Sequence, residues 1–442
     1  MLKQQKIFFD FLRFCIGSAK EIPDSLKEAD WKELYAIAKK QCLVGVLFDG
    51  IKKLPAEHVG MEKELLLQWM AESQMLVKAN VRLNDAAIQV SEWFRKKGFR
   101  TCILKGQGNA LMYPNPYSRT PGDIDIWVEG GDKRVISFVR SISPHEKACY
   151  HHIEFPSYKG VEVEVHYRPS FLLCFWHDRK LQKYYERVKE EQFSHRVMLG
   201  EQGEIAIPTV EFNLIFQLTH IYSHLMNEGI GLRQLVDYYY VLCDFYKVYQ
   251  KSSKITPSLF TLKEGSTSHP DPLTLRGEGG NRPTRCSEPL RSKDGGPSKV
   301  SPDCAGWDRL SIEGDNSAGS TTAVTSSAST ALDVVQKKLK ELGLWKFAEG
   351  IMYIMQEVFG MPASQLIVPP NEKYGKFVLN EVLEAGNFGK HDARNRFGRS
   401  QLGHNLQRVY RDMRLVRYFP AEALCEPLFR IWHFFWRMKN KK

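Results

Sequence analysis

The sequence predicts an α+β protein: a small mixed β-sheet, N-terminal and C-terminal helical regions that flank it, and a disordered insertion. Three observations carry this prediction. Apolar residues recur at three- and four-residue steps before residue 98 and again after residue 209. Short β-rich runs fill the stretch between these two regions. Downstream, 40 of the 80 residues in 251–330 are Ser, Thr, Gly or Pro, a composition that is typical of disorder.

The composition indicates a soluble, cytoplasmic, multidomain protein. The chain has 442 residues, of which 43% are hydrophobic, so two or three domains with real cores are expected. Nine scattered cysteines without a Cys-x-x-Cys pair argue against a disulfide framework and a zinc ribbon. No apolar run approaches the roughly 20 residues that a membrane-spanning helix needs, so no transmembrane segment is predicted.

The N-terminal region, 1–98, is predicted to be helical. Apolar periodicity covers 31–53 and 61–97, and Gly98 stands where a helix would end. The region 99–208 then contains the β-rich runs and is predicted to form the core domain. Strands are expected at 99–104 and 123–128, followed by a hairpin of 150–155 with 161–167 and a smaller hairpin within 196–207.

The C-terminal helical region comprises 209–250 and 331–442, with the insertion 251–330 between its two parts. Helices are expected at 212–226, 232–249, 331–359 and 402–418. The last 57 residues contain 13 Lys and Arg against 4 Asp and Glu, which is +9 of the total net charge of +11. A polyanion would therefore be contacted by this basic C-terminal tail rather than by the rest of the chain.

Two aspartates, Asp123 and Asp125, begin the second predicted strand. Residues two apart on a strand project to the same face, and two adjacent carboxylates repel each other unless a cation lies between them. Mg²⁺ binds through one or two carboxylates together with substrate phosphates. The run VEVEVHY supplies a third acid, because its alternation puts Glu162, Glu164 and His166 on one face. The sequence therefore predicts a divalent-metal site.

A glycine-containing turn precedes this strand. Gly106 and Gly108 would let backbone N–H groups approach a phosphate. Lys105 is a candidate phosphate ligand, and Arg119 could clamp a phosphate through two hydrogen bonds. The alternative is that the Asp-x-Asp motif is only a solvated strand face. The basic and glycine residues around it favour the metal and phosphate interpretation.

Segment 104–128, LKGQGNALMYPNPYSRTPGDIDIWV, resembles the nucleotidyltransferase superfamily with the DNA polymerase β-like catalytic core. It is most similar to a bacterial branch of uncharacterised nucleotidyltransferases, in which a Lys-Gly turn precedes Gly-Asp-hydrophobic-Asp. The similarity continues at Glu164-Val165-His166 and at 220–237. This resemblance implies a mixed sheet flanked by helices, two metal ions, and transfer of a nucleoside monophosphate from an NTP with release of pyrophosphate.

The same resemblance implies roles for individual residues. Asp123, Asp125 and Glu164 would be both the catalytic residues and the ligands of Mg²⁺, with Mn²⁺ as an alternative ion. Glu164 could also accept the proton of the attacking hydroxyl.

Lys105, Gly106 and Gln107 would belong to the turn that binds the triphosphate. Here the chain departs from the superfamily, since Gln107 stands where a serine is common. That change weakens the expectation that the turn contacts the triphosphate. It also weakens the expectations that the chain binds ATP and that the turn supports catalysis.

Two further features near the end of the resemblance have alternative interpretations. Arg233 and Asp237 are four residues apart, so Arg233 either forms an ordinary helix ion pair or faces the nucleotide or acceptor. His220 and His224 have a spacing that metals can use, but hydrogen-bonded helix histidines are the favoured interpretation because no Glu follows the first histidine as in His-Glu-x-x-His.

The leading functional prediction is metal-dependent transfer of a nucleoside monophosphate from an NTP to an acceptor hydroxyl. A protein, a tRNA end, and a sugar or antibiotic-like molecule are candidate acceptors, and the basic tail slightly favours a polyanion. One alternative is a non-catalytic module that binds an NTP or a partner on the same fold. A toxin-like nucleotidyltransferase that arrests growth is the other.

Overall fold

A small four-stranded sheet lies at the centre of the computed structural model, which describes residues 3–201, 203–251, 321–390, 392, 394 and 401–440. The spatial order of its strands is β1-β2-β4-β3, and a separate two-stranded sheet pairs β5 with β6. The strands are β1 (Thr101–Ile103), β2 (Ile124–Val128), β3 (His152–Tyr158), β4 (Val161–His166), β5 (Arg196–Met198) and β6 (Glu204–Ala206).

Helices precede, interrupt and follow the strands of this sheet in the sequence. The helices that precede and interrupt the strands are α1 (Lys3–Ile16), α2 (Trp31–Lys40), α3 (Val44–Ile51), α4 (Lys63–Lys96), α5 (Gln107–Ala110), α6 (Gly131–Ile142) and α7 (Phe175–Ser194). Those that follow are α8 (Val210–Asn227), α9 (Leu232–Lys251), α10 (Thr321–Glu341), α11 (Trp345–Glu357), α12 (Glu372–Ala385), α13 (Gln401–Leu415) and α14 (Pro420–Lys439).

The sheet is mixed, as the sequence predicts. β1 is antiparallel to β2, β2 is parallel to β4, and β4 is antiparallel to β3. In the parallel pair, Asp125 lies directly opposite Glu164. The register alone therefore brings an acid of the Asp-x-Asp motif beside the acid of the VEVEVHY run.

Local sequence signals explain several of the element boundaries. Gly98 ends α4 with φ +78°, a backbone conformation that favours glycine. The β3–β4 hairpin turns at Lys159 and Gly160, which have φ values of +51° and +76°. The side chain of Asp30 accepts backbone N–H groups at the start of α2, and Thr209 caps α8 in the same way.

Apolar side chains form two cores. One core contains the inner face of the sheet together with the second half of α4 and with α6, for example Phe94, Ile126 and Val139. The other joins the N-terminal helices to α8, α9 and the later helices, so that Phe11 and Phe347 belong to one cluster. The N-terminal and C-terminal helical regions therefore share a core, although the predicted core domain, 99–208, lies between them in sequence.

Some helices differ from the predicted boundaries. The predicted helix 31–53 is two helices, because Cys42 adopts φ +56° between α2 and α3. The predicted helix 331–359 is also two helices, which Gly343 separates with φ +67°, and its first part already begins at Thr321. Most of the insertion predicted at 251–330, namely 252–320, lies outside the described residues.

Five helices of the described part were not predicted individually: α1, α6, α7, α12 and α14. Among the residues that the structure describes, no helix has the length and apolar character that crossing a membrane requires.

Candidate active site

Three carboxylates converge where β2 and β4 run side by side. Asp123 directly precedes β2, Asp125 lies within it, and Glu164 lies opposite on β4. One carboxylate oxygen from each residue can be chosen so that all three oxygens lie within 4.8 Å of one another. Asp125 is buried, whereas Asp123 and Glu164 are partly accessible. The predicted acidic cluster is therefore present as a geometric unit.

Two cationic groups accompany Asp125. The ammonium Nζ of Lys105 lies 2.8 Å from Asp125 Oδ1, and His166 Nε2 lies 3.0 Å from the same oxygen. Burial raises the pKa of Asp125, but the charge of Lys105 and the hydrogen bond from His166 lower it further, so the net pKa lies below its usual range. Asp125 is thus held ionised.

Asp123 has the opposite behaviour. The negative charge of Asp125 and, secondarily, burial raise the pKa of Asp123 to about 6. A pKa raised by a neighbouring acid indicates that negative charge is in excess at this cluster of carboxylates. A divalent cation between the carboxylates would relieve that repulsion.

His166 connects two of the three acids. Its Nε2 lies 3.0 Å from Asp125 Oδ1 and 3.4 Å from Glu164 Oε2. Burial lowers the pKa of His166, but hydrogen bonds to Asp125 and Glu164 more than offset this and raise the pKa to about 9. The histidine of the Glu-x-His pair therefore orients the two carboxylates.

Further histidines line the same cavity and were not predicted as part of the site. His152 Nδ1 lies 3.4 Å from Glu164 Oε2 and 3.0 Å from His151 Nε2. No local signal in the sequence places them there, because β3 is brought beside the acids by its antiparallel pairing with β4. His220 is also close, with Nε2 3.1 Å from Lys105 Nζ. This contact agrees with the prediction of a hydrogen-bonded helix histidine.

The predicted phosphate turn follows β1. Gly106 lines the cavity and has φ +58°, and Lys105 lines it as well. Gln107 is buried and its side chain donates a hydrogen bond to Asn84 on α4, so that side chain is directed away from the cavity. Gly108 serves packing, because a Cβ there would lie 3.0 Å from a methyl carbon of Ile207.

Arg119 is engaged in a buried ion pair. Its Nε and Nη2 each lie 2.8 Å from an oxygen of Asp237, and Tyr113 donates to the same carboxylate at 2.6 Å. The remaining nitrogen, Nη1, lies 3.4 Å from the carbonyl of Thr120. The two-bond fork of Arg119 thus already binds a carboxylate, and the predicted phosphate clamp has no support from these contacts.

Because Asp237 binds Arg119, the guanidinium of Arg233 is available to bind an anion. Asp237 pairs with Arg119, so the alternative of an Arg233–Asp237 helix ion pair is wrong. Arg233 is only 8% exposed, its Nη1 donates to the carbonyl of Thr120, and its buried Nε has no hydrogen-bond partner. Among the described residues no carboxylate forms an ion pair with it. A buried guanidinium without a carboxylate is a strong candidate for binding an anion.

The acids and Arg233 line one cavity of about 710 Å³. The part of its wall that comes from the C-terminal region of the chain carries Lys390, Arg408, Arg430 and His433. The cavity is therefore acidic where β2 and β4 meet and basic on the side of α13 and α14. This distribution suits a ligand with both a metal-bound triphosphate and an anionic second part.

Comparison with known proteins identifies a protein family. The model of a family described as uncharacterised nucleotidyltransferase matches residues 27–249. These residues make up half of the chain and include the sheet, the acids and Arg233. No curated protein and no solved structure matches the chain.

Proposed function

Since this chain belongs to the family of uncharacterised nucleotidyltransferases, we propose that it is a metal-dependent enzyme that moves a nucleoside monophosphate from an NTP to an acceptor hydroxyl. The observation that carries the proposal is the convergence of Asp123, Asp125 and Glu164 in the cavity that also contains the buried Arg233, which forms no ion pair with a described carboxylate. Acids alone would repel a triphosphate. Acids beside a guanidinium that forms no ion pair with a described carboxylate can bind a phosphate together with its cation.

The residues present fit a hard divalent cation. Their donor atoms are carboxylate oxygens, which Mg²⁺ and Mn²⁺ prefer. The raised pKa of Asp123 supports this fit, because the mutual repulsion that causes it is what a bound cation would remove. Asp123, Asp125 and Glu164 would hold the ion. When bound, it would supply charge stabilisation of the phosphoryl oxygens.

The chain's own groups supply the remaining parts of the chemistry. Arg233, whose Nη1 lies close to the backbone of Thr120 and Gly122 just before Asp123, would bind a phosphate oxygen, and the backbone at Gly106 would approach the triphosphate. Glu164 is partly accessible and could accept the proton of the acceptor hydroxyl as that oxygen attacks the α-phosphorus. Pyrophosphate would leave, so that one phosphoanhydride bond is exchanged for one phosphoester bond.

The basic wall of the cavity supports an anionic acceptor. Lys390 and Arg408 line it and are exposed, and neither forms an ion pair with a described carboxylate. They would attract a phosphorylated small molecule, an RNA end or an acidic protein segment into the cavity that contains the acids. A neutral sugar would gain nothing from these charges.

The test is incubation of the purified chain with each α-labelled NTP, Mg²⁺ or Mn²⁺, and cell lysate that has been separated into protein, RNA and small-molecule fractions. We expect label to move from one NTP into one fraction, with matching pyrophosphate release. Increasing salt should reduce transfer, because the acceptor is held by exposed charges.

The test compares the variant Glu164→Gln with a matched control, the variant Glu162→Gln. Both acids lie on β4, but Glu162 is exposed and outside the acidic cluster. Only Glu164→Gln should abolish transfer. Binding of NTP without transfer to any fraction, under either metal, would contradict the enzymatic proposal and favour the non-catalytic binding module.

A further inference from the structure

The N-terminal ends of α7 and α14 each carry two side chains of types that bind metal ions. The two residues of each pair are three positions apart in the sequence. Cys174 immediately precedes α7 and His177 lies in its first turn, so the two are three residues apart. Glu422 and Cys425 lie three residues apart in the first turns of α14. Residues three apart on a helix face the same side. Each helix start therefore offers two ligands in one direction.

The two pairs meet in space. Ligand atoms of Cys174, His177 and Glu422 can be chosen so that all lie within 4.8 Å of one another, and His177 Nδ1 lies 3.3 Å from Glu422 Oε1. The thiol of Cys425 interacts with the thiol of Cys174. The Cys174 sulfur, the His177 imidazole and a carboxylate oxygen of Glu422 thus converge at the contact between α7 and α14, and the Cys425 thiol lies beside that of Cys174.

Neighbouring groups hold these side chains in orientation. Glu422 Oε2 accepts backbone N–H groups of Leu173 at 2.6 Å and Cys174 at 3.1 Å, which leaves Oε1 facing His177. The imidazole of His177 rests on Gly343, where a Cβ would overlap the ring. Such outer contacts are what fix metal ligands in proteins.

We propose that Cys174, His177, Glu422 and Cys425 form a structural zinc site. Zinc is bound tetrahedrally by cysteine sulfur, histidine nitrogen and carboxylate oxygen, whereas Mg²⁺ and Ca²⁺ require oxygen ligands. Helix capping by Glu422 accounts for its contacts with the two backbone N–H groups. It does not account for the imidazole and the Cys174 thiol that meet at the same carboxylate, or for the second thiol beside Cys174.

The site ties the C-terminal helix to the rest of the fold. α14 carries Phe429, Arg430 and His433, which line the cavity that contains the acidic cluster. Zinc at the start of α14 would fix the position of this wall relative to α7. Binding would release the protons of both thiols, and its free energy would add to the stability of the folded chain.

The test begins with the zinc content of the full chain, purified without a metal-affinity tag and dialysed against metal-free buffer. We expect about one zinc per chain, the stoichiometry of a four-ligand structural site. Cys425→Ser should lose this zinc and lower the melting temperature. Cys425 is only partly buried, so the variant is expected to fold. Cys243→Ser, at another partly buried cysteine, should keep the zinc.

Replacement of zinc by Co²⁺ gives a second readout that reports the ligands themselves. We expect a thiolate-to-cobalt absorption band that persists in Asp123→Asn and disappears in Cys425→Ser. Three outcomes would overturn the proposal: no zinc after dialysis against a zinc buffer, zinc that survives Cys425→Ser, or an intact mass that shows Cys174 and Cys425 joined as a disulfide.

Discussion

Asp123 and Asp125 show how strongly position alters a side chain. They are the same residue type two positions apart, yet the pKa of Asp125 is lowered by Lys105 and His166, while that of Asp123 is raised to about 6 by Asp125. The local cations therefore neutralise only part of the cluster. Asp123 is the acid whose ionisation depends most on a further cation.

Replacement of Asp123 by Asn should abolish nucleotidyl transfer without unfolding the protein. The change removes a proposed metal ligand and also removes a repulsive charge beside Asp125, so a stable fold is expected. We expect the rate of pyrophosphate release to fall at least about a hundredfold. Circular dichroism should show unchanged helix content, and transfer at the unaltered rate would exclude Asp123 from catalysis.

Arg233 and Arg119 are both buried, but within the part of the chain that the structure describes Arg119 has a carboxylate partner and Arg233 has none. Replacement of Arg233 by Gln should therefore weaken NTP binding and leave stability unchanged or slightly increased, because a buried charge without a partner is removed. A lost charge-assisted contact corresponds to a rise of about 10- to 150-fold in the dissociation constant for the NTP. Equilibrium dialysis with labelled NTP measures it, and unchanged affinity would contradict the assignment.

Replacement of Arg119 by Gln should have the reverse profile. It leaves Asp237 buried with Tyr113 as its remaining side-chain donor, and breaking a buried pair in this way costs about 3–5 kcal/mol of unfolding free energy. Urea denaturation of this variant and of Arg233→Gln side by side would separate the structural arginine from the proposed ligand. A destabilisation confined to Arg233→Gln would reverse the two roles.

At the scale of elements, α13 and α14 pack as a helical hairpin with an unusual acid contact. Asp412 on α13 faces Glu426 on α14, and burial together with the charge of Glu426 raises the pKa of Asp412 to about 7. The folded state therefore binds a proton that the unfolded chain releases near its ordinary pKa of 3.8. Stability from this group is greatest below that value and decreases as the pH rises to about 7.

Asp412→Asn should remove this pH dependence. At pH 8 the variant should be more stable than the parent by ~1 kcal/mol, a value reduced for solvent screening because Asp412 is only partly buried. At pH 4 the two proteins should be equally stable. Melting temperatures across this range give the comparison, with Glu64→Gln at an exposed site as the control. A constant difference at all pH values would contradict the explanation.

The elements that sequence periodicity predicted are those with a clear apolar stripe or clear turn residues. Helices α4, α8 and α9 and both hairpins lie close to their predicted positions. α7 was missed because much of its sequence, such as KYYERVKEEQ, is polar, and its buried residues Leu181, Tyr184 and Tyr185 form a narrow stripe. The break at Cys42 was missed because a cysteine rarely adopts positive φ, whereas Gly343 is a residue at which helices commonly end.

At the scale of the whole molecule, the cavity is assembled from both ends of the chain. The family model ends at residue 249, whereas Arg408, Arg430 and His433 of the cavity wall lie beyond it. The acids and the proposed phosphate ligand thus belong to the region shared with the family. The basic wall belongs to the part that the family model does not cover, which makes it the natural place for acceptor specificity.

Removal of divalent metal should stop transfer in the intact protein. Treatment with EDTA is expected to reduce pyrophosphate release to background, and added Mg²⁺ or Mn²⁺ should restore it, because carboxylate oxygens bind these ions reversibly. Zinc alone should not restore activity at the acidic cluster. Transfer that continues at the full rate in excess chelator would exclude the metal-dependent mechanism.

The sequence by itself determined the fold class, the strand positions and the three acids, because alternation on a strand and spacing within a motif are local properties. It could not decide between Arg119 and Arg233, since their roles depend on which one reaches Asp237 across 118 residues of chain. It could not predict that His152 lies beside Glu164 and His151 beside His152, or that the Cys174 thiol lies next to that of Cys425. Those contacts exist only after strand pairing and helix packing bring distant segments together, and only the tertiary structure decided them.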